Sequence, residues 1–271
     1  MSLSRCLIGV CIFLISIFQV GCSTQEEADF RRAEKEEKSE HFRIAVSYYE
    51  QVIQRKRNLN LALAAARSAA RLTHLELKDY RRAIHFYQQI LILSHDQNEL
   101  KNAQKQIALI YFDNLQDNSN AVKELNKLLN QDDGTEEFNE IRLRLARANY
   151  HAGFYQQTLS EIEEVLKKAK DKKIIFNAQI LIANIYVSQK LFEKAIQVYQ
   201  VLLETMSEQS IQENVVVNMA VCYEELLKFN DAVDVLKKYK DQHKQPEYIE
   251  LRIKRILERQ KNAPGAKGFR K

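Results

Sequence analysis

The chain has 271 residues, of which 28% are charged, with six glycines, two prolines and no tryptophan. Both prolines follow residue 245, so most of the chain has few of the turn-forming residues that strands and hairpins require, which excludes an all-β protein and predicts an all-α fold. The formal net charge of +5 is modest, but residues 237–271 contain twelve Lys and Arg against four Asp and Glu.

Residues 1–21 are predicted to be an export signal and not part of the fold. Arg5 provides a positive start, and the apolar run over residues 7–18 is shorter than the roughly 20 residues that a membrane-spanning helix needs. The small residues before Cys22 form a cleavage site. This ending resembles the bacterial lipoprotein signal, which implies cleavage before Cys22 and lipidation of that residue. An ordinary secretory signal, cut nearby, is the alternative.

Residues 22–25 are then predicted to be a short lipid-anchored tether. By the resemblance to lipoproteins of Gram-negative envelopes, Ser23 directly after the cysteine implies an outer-membrane protein that faces the periplasm. Cys6 and Cys11 leave with the signal, so Cys222 is the one remaining thiol and no internal disulfide is expected. Cys222 lies in a helical pattern, and we expect it to be a packed apolar residue instead of a nucleophile.

Two series of small residues run through the rest of the chain with a period of 37 or 38 residues. The first series is Ala33, Ala70, Ala108, Ala146, Ala183 and Ala220, and the second is Ala45, Ala83, Ala121, Thr158, Ala195 and Ala232. Large residues lie three positions before and four and seven positions after most members of the second series, which defines one face of a helix. The sequence therefore predicts six repeats, each a pair of antiparallel helices, here called helix A and helix B.

This pattern resembles the tetratricopeptide repeat. Its clearest copy contains Ala183, Tyr186, Phe192, Ala195, Tyr199 and Leu202. The resemblance implies an all-α, right-handed α-solenoid of about six helix-turn-helix repeats plus a C-terminal capping helix, over residues 26–261. HEAT-type repeats, at about 40 to 47 residues, are the structural alternative.

Some local departures from the repeat are also expected. The charged first helix of repeat one is interpreted as a solvated cap. Repeats two and three carry one extra residue between their small positions, which predicts longer internal turns, whereas repeats five and six are the most regular. Asp132, Asp133 and Gly134 form a loop before repeat four, where Thr135 caps the next helix and a small rearrangement between the two halves is expected.

The end of the chain is predicted to contain a final helix, Glu247 to Gln260, preceded by Pro246. Its apolar residues would cover the exposed face of repeat six; they are Ile249, Ile253, Ile256 and Leu257. Residues 262–271 contain Pro, Gly and basic residues and are predicted to be a disordered tail.

The A helices of such solenoids line a concave groove, and the positions three before, one after and four after each first-series residue should face it. Their residues are Arg67, Arg71 and His74; Lys105, Leu109 and Phe112; Leu143, Arg147 and Tyr150; Ile180, Asn184 and Val187; and Val217, Val221 and Glu224. We expect a basic and aromatic surface in repeats two to four, suited to a peptide with an acidic group, and a more apolar surface beyond. The alternative is that the cations are merely solvated and that Phe112 and Tyr150 belong to the core.

The C-terminal end offers a second candidate surface for anionic lipid or an acidic protein. Its basic residues are Lys237, Lys238, Lys240, Lys244, Arg252, Lys254, Arg255 and Arg259. An ordinary charged cap that keeps the last helix soluble is the alternative, and nucleic acid is not an expected partner of an exported protein.

The sequence has no motif that indicates catalysis. It lacks a Gly-rich phosphate loop, paired Cys ligands and an HExxH motif, and its six histidines are scattered singly, so neither a cofactor nor a metal is expected. The chain also resembles BamD-like lipoproteins of the outer-membrane β-barrel assembly machine, which implies a non-catalytic scaffold for outer-membrane protein assembly. An adaptor for a cell-wall enzyme, a pilus or a secretion machine is the alternative.

Overall fold

The structure, a computed structural model, describes residues 25–130 and 134–262. Helices account for nearly all of these residues, and no strand occurs among them, which confirms the all-α prediction. The chain divides into two compact units between residues 131 and 132. The predicted signal, Cys22, Asp132 with Asp133, and the tail from residue 263 onwards lie outside the described residues.

The first unit contains three successive helix pairs. Helix α1 covers residues 25–38 in the part of the chain that the structure describes. The helices that follow it are α2 (Phe42–Arg55), α3 (Leu59–Arg71), α4 (Tyr80–Leu93), α5 (Gln97–Leu109) and α6 (Asn118–Leu129).

The second unit contains three further pairs and a final helix. Its helices are α7 (Glu136–His151), α8 (Tyr155–Lys168), α9 (Lys172–Ser188), α10 (Phe192–Thr205), the short α11 (Ser207–Gln212), α12 (Val215–Glu225), α13 (Phe229–Tyr239) and α14 (Pro246–Asn262). Gly134 and Thr135 directly precede α7, and Thr135 occupies its N-cap position as expected.

The two series of small residues are buried in every repeat. All twelve members are 0% or 1% exposed. Thr158 is the one member that is not alanine, and its hydroxyl donates a hydrogen bond of 3.0 Å to the carbonyl of Phe154, so its burial leaves no polar group unpaired. Small side chains at these positions allow the A and B helices to approach closely, which explains why the period is visible in the sequence.

A third series of residues lies at the end of helix A in every repeat. Its members share a backbone conformation and not an amino-acid type, so the sequence does not reveal it. Six of the residues with a left-handed backbone form this series: Glu40, Lys78, Gln116, Gly153, Lys190 and Leu227. Each lies two positions before the first residue of the following helix B. The left-handed residue reverses the chain direction after helix A, a role in which glycine is the usual residue, but only Gly153 is a glycine here.

The extra residue of repeats two and three is accommodated differently from the prediction. It lengthens the end of helix A as a π-helical turn, over Leu72–Glu76 in repeat two and Ile110–Asn114 in repeat three, and does not enlarge the turn that follows. The backbone N–H groups of Leu77 and Leu115 bond to carbonyls five residues earlier, at 2.9 Å in both repeats. A wider helical turn absorbs one residue without moving the start of helix B.

Helix α1 is not simply a solvated cap, which corrects the prediction. Glu26 and Asp29 are 1% and 2% exposed. The Glu26 carboxylate accepts the backbone N–H groups of Arg57 and Asn58 at 3.1 Å each, and Asp29 forms an ion pair with Arg55. Buried carboxylates need such partners, so α1 is held to the rest of the first unit by specific polar contacts.

The junction of repeats five and six is less regular than predicted. Helix A of repeat six is interrupted, because α11 ends at Gln212 and Asn214, with φ of 61°, separates it from α12. The Asn214 side chain lies 3.0 Å from Nε2 of His243, which is 4% exposed. Because the Gln245 N–H donates to His243 Nδ1, the imidazole is the Nε2–H tautomer and both of its nitrogens are paired.

The final helix packs on repeat six as predicted. Ile249, Ile253 and Ile256 are 1%, 5% and 0% exposed and belong to the same hydrophobic cluster as α12 and α13. Leu257, also expected to cover the core, is 38% exposed because it lies on the flank of the helix. The helix continues to Asn262, two residues beyond the prediction.

Candidate functional site

The predicted groove residues of the first unit lie on one side of the A helices, but their positive charges are already paired. Arg67 is exposed and its Nη2 lies 2.7 Å from Oε2 of Glu99, while the exposed Arg71 forms an ion pair with Glu37. The hydrogen bond to Glu99 raises the pKa of Arg67, and the same bond lowers the pKa of Glu99. An acidic ligand would therefore compete with these carboxylates for the guanidinium groups.

The aromatic groups of this unit are only partly accessible. His74 is half-buried, with Nδ1 3.3 Å from the hydroxyl of Tyr87 and its ring edge-on to Tyr80 and Tyr87. Burial lowers the pKa of His74, so the ring is neutral at pH 7. Lys105 and Phe112 are likewise half-buried, as is Leu109 beside them.

Three of the predicted groove positions in the second unit do not form an open surface. Leu143 is 3% exposed and Val217 is 8% exposed, because both pack into hydrophobic clusters of this unit. Glu224 is 6% exposed and accepts hydrogen bonds from Arg252 at 2.6 Å and from Arg259 at 3.2 Å. The assumption that each helix A presents three open positions is therefore wrong where a neighbouring helix covers one of them.

The remaining predicted residues of the second unit do keep an accessible face. Tyr150 is half-buried and its hydroxyl lies 2.8 Å from Ser188 Oγ, which links helix A of repeat four to helix A of repeat five. Arg147 and Asn184 are also half-buried. Ile180 and Val187 flank Asn184 on α9 and are only partly buried against the core.

The side-chain amide of Asn184 forms no hydrogen bond with any residue in the part of the chain that the structure describes. Val221, the corresponding residue of α12, is 38% exposed. We call Ile180, Asn184, Val187 and Val221 the repeat five-six face. It combines apolar surface with one amide that can both donate and accept a hydrogen bond.

Some of the basic residues at the C-terminal end form salt bridges with acidic residues of the same chain. Arg252 and Arg259 bind Glu224, and Lys240 lies 2.9 Å from Glu250. Arg252 and Arg259, two of the eight predicted cations, therefore neutralise the buried carboxylate of Glu224 in α12. The prediction of a separate basic surface did not include this pairing.

Cys222 occupies the core, as its helical pattern predicted. It is 1% exposed, and burial raises its pKa to about 11, so the thiolate needed for nucleophilic chemistry is disfavoured at neutral pH. Over residues 25–130 and 134–262, no three His, Cys, Asp or Glu side chains are placed to hold a metal ion, and no helix is long and apolar enough to cross a membrane.

Sequence reasoning missed the acidic partners of the predicted groove. Glu37 lies four residues after Ala33, and the residue four after each first-series residue is predicted to face the groove. The same positions applied to repeat one would therefore have identified Glu37. Glu99 and Ser188 do not lie at any of the three positions predicted to face the groove. No feature of the sequence indicates that Glu99 pairs with Arg67 or that Ser188 pairs with Tyr150.

No protein-family model and no curated protein matches the chain. Solved structures do resemble it. A tetratricopeptide repeat protein from Parabacteroides merdae superposes with a TM-score of 0.55 and 13% identity over 86% of this chain and 87% of its own. The MamA protein gives 0.53 and 16% identity over 69% of this chain and 94% of its own. The chain has the tetratricopeptide-repeat (TPR) fold.

A third similar structure is PilW, described as a widely conserved type IV pilus biogenesis factor, with a TM-score of 0.52 and 12% identity over 83% of this chain and 97% of its own. At these identities the likeness extends to the fold alone. The TPR architecture predicted from the repeat is therefore confirmed, and the binding surfaces have to be argued from this chain's own residues.

Proposed function

We propose that this TPR protein is a non-catalytic scaffold that binds peptide segments of other proteins on the repeat five-six face. The observation that carries the proposal is the unpaired amide of Asn184 between Ile180 and Val187 on a partly open surface. An amide can pair with the N–H and C=O of an extended peptide, while the apolar neighbours bind its side chains. The first unit is less suited to an acidic peptide, since Arg67 and Arg71 are already paired.

The experiment is site-specific photo-cross-linking in intact cells. A benzophenone side chain at position 184 should capture a defined partner, whereas the same group at position 201 should not. Val201 is a suitable control because it is 46% exposed on helix B of the same repeat. Equal capture from both positions, or none from position 184, would contradict binding at this face.

We further propose that the scaffold is anchored to the bacterial envelope through a lipid on Cys22 and serves outer-membrane protein assembly. The lipoprotein-like ending of the export signal supports the anchor. Replacing Cys22 with Ser should abolish incorporation of labelled palmitate and release the protein from the membrane fraction. A variant that stays in the membrane fraction without label would contradict the anchor.

An adaptor for a pilus, a secretion machine or a cell-wall enzyme is the second candidate. It is favoured by the similarity in fold to PilW, which is a pilus biogenesis factor. Mass spectrometry of the protein cross-linked from position 184 separates the two roles. Components of the β-barrel assembly machine would support the first, and pilus, secretion or peptidoglycan components the second.

A further inference from the structure

The start of helix α1 is fixed against the loop between α2 and α3. The backbone N–H groups of Arg57 and Asn58 both donate to the buried carboxylate of Glu26 at 3.1 Å. Asp29, one turn later, binds Arg55 in that same region and accepts a hydrogen bond of 3.1 Å from Gln25. The chain therefore enters the first unit at a defined place, beside residues 55–58.

This place lies close to Cys22 because the intervening chain is short. Only Ser23 and Thr24 separate Cys22 from Gln25. Three residue steps span at most roughly 10 Å, even in a fully extended chain. A lipid on Cys22, the anchor proposed above on which this inference rests, would therefore bring the α2–α3 loop to the membrane surface.

The loop has the chemistry of a membrane-contacting surface. Lys56 and Arg57 are exposed, and their side chains have no partner among the residues that the structure describes. Leu59 follows them and is 56% exposed. Cations attract anionic headgroups, and an adjacent leucine can enter the boundary with the acyl chains.

We propose that Lys56, Arg57 and Leu59, here called the anchor edge, rest on an anionic lipid surface and orient the first unit on the membrane. Helix α3 begins at this edge and leads away from it. Leu75, sixteen residues further along, lies roughly 24 Å from Leu59 at a rise of 1.5 Å per residue, so the turns between A and B helices face away from the lipid.

The absence of tryptophan from the sequence allows a direct test. Leu59→Trp and Leu75→Trp place a single indole at positions that are 56% and 57% exposed. The mature chain, starting at Cys22, is coupled through that thiol to a maleimide headgroup lipid in vesicles of phosphatidylethanolamine and phosphatidylglycerol. Cys222 is 1% exposed and should not react.

With brominated acyl chains in the vesicles, the indole at position 59 should show a blue-shifted emission and strong quenching. The indole at position 75 should show neither. Equal quenching at the two positions, or none at position 59, would overturn the proposed orientation.

The role of the cations is tested in the Leu59→Trp protein. Lys56→Glu with Arg57→Glu should remove most of the quenching, and high salt should weaken quenching of the parent in the same way. Arg43→Glu with Lys78→Glu is the matched control, because both side chains are exposed at the opposite edge of the first unit and should leave the quenching unchanged. Equal effects of the two pairs would contradict a specific anchor edge.

Chemical coupling of Cys22 to a lipid does not depend on acylation in the cell. The lipid anchor on Cys22 and the anchor edge can therefore be contradicted independently of each other. Loss of quenching at position 59 contradicts the anchor edge even if Cys22 carries a lipid in cells. Absence of palmitate on Cys22 contradicts the proposed anchor, whatever the vesicles show.

Discussion

At the scale of single residues, the left-handed position at the end of each helix A decides how a repeat turns. A side chain in this conformation crowds the following carbonyl, at a cost of roughly 1–2 kcal/mol per residue. Five of the six repeats bear this cost at a residue other than glycine. The native contacts of the repeat must offset this cost in free energy. Replacing the residue with glycine should therefore stabilise the protein.

Leu227 offers the clearest case, because its φ is 58° and its side chain is 62% exposed. Leu227→Gly should raise the free energy of unfolding by about 0.5–1 kcal/mol, since relief of the backbone strain exceeds the entropy that glycine loses on folding. Urea denaturation followed by circular dichroism measures the change.

The reverse substitution is the matched control. Gly153 has φ of 82°, and an added Cβ would meet no atom within 4 Å, so Gly153→Ala tests the backbone conformation without a steric clash. It should lower the free energy of unfolding by about 1 kcal/mol. A destabilised Leu227→Gly protein beside an unchanged Gly153→Ala protein would show that the left-handed positions are not strained.

At the scale of single elements, the π-helical turns show how the fold tolerates a change of repeat length. Repeats two and three have one more residue than the others, and the wider turn at the end of helix A contains it. Every helix B therefore begins three residues before its second-series residue.

Deletion of Leu75, which is 57% exposed within the π turn, should convert repeat two to the length of repeats four to six. We expect the free energy of unfolding to change by less than about 1 kcal/mol, as for an ordinary surface substitution. Deletion of the exposed Gln88 in α4 is the control, because it rotates the following residues by about 100° and takes Ile90 out of the core. Equal losses in thermal melts of the two proteins would contradict this interpretation of the π turn.

The contacts of α1 make the stability of the first unit sensitive to acid. Burial alone would raise the pKa of Asp29, but hydrogen bonds from Arg55 and Gln25 and the charge of Arg32 outweigh it, so the pKa is lowered. A lowered pKa in the folded state means that the stabilisation is present above the unfolded value near pH 3.9 and is lost as the pH falls through the folded value.

Asp29→Asn should therefore cost about 1–3 kcal/mol at pH 7 through the loss of the charged hydrogen bonds. The difference between the variant and the parent should shrink as the pH falls below about 4, because Asp29 of the unfolded parent then becomes protonated, and it should disappear once the folded carboxylate is protonated at its lowered pKa. Denaturant titrations at several pH values measure this convergence. A difference that persists unchanged to the lowest pH would show that the charge of Asp29 is not responsible.

At the scale of the whole molecule, the first and the last of the described helices are held in place by different means. The first unit holds α1 with buried carboxylates, whereas the second covers repeat six with the isoleucines of α14. A repeat cannot bury its outer face alone, so a terminal repeat requires such a cap.

Neighbouring residues of α14 provide a test of the apolar cap. Ile256 is 0% exposed and Leu257 is 38% exposed. Ile256→Ala should lower the free energy of unfolding by about 2–4 kcal/mol, because it removes buried methylene groups and leaves a cavity, while Leu257→Ala should cost less than about 1 kcal/mol. Similar losses in the two variants would contradict the packing of α14 by its isoleucine face.

The sequence by itself determined the class of fold, the number of repeats and the residues at the centre of each helix pair. These features depend on the spacing of small and large side chains within one repeat, and a pattern repeated six times is visible without structural data. Local spacing also predicted the final helix and the burial of Cys222, since periodicity separates the core face of a helix from its exposed face.

Only the tertiary structure decided which of the predicted groove residues remain available. The pairs of Arg67 with Glu99, Arg71 with Glu37 and Arg252 with Glu224 join residues that lie 28 to 34 positions apart. Contacts between successive repeats depend on the directions in which long side chains extend, and the period of the sequence does not encode these directions. The break before α12 and the buried carboxylates of α1 are decided by the same long-range contacts, so local pattern could not predict them.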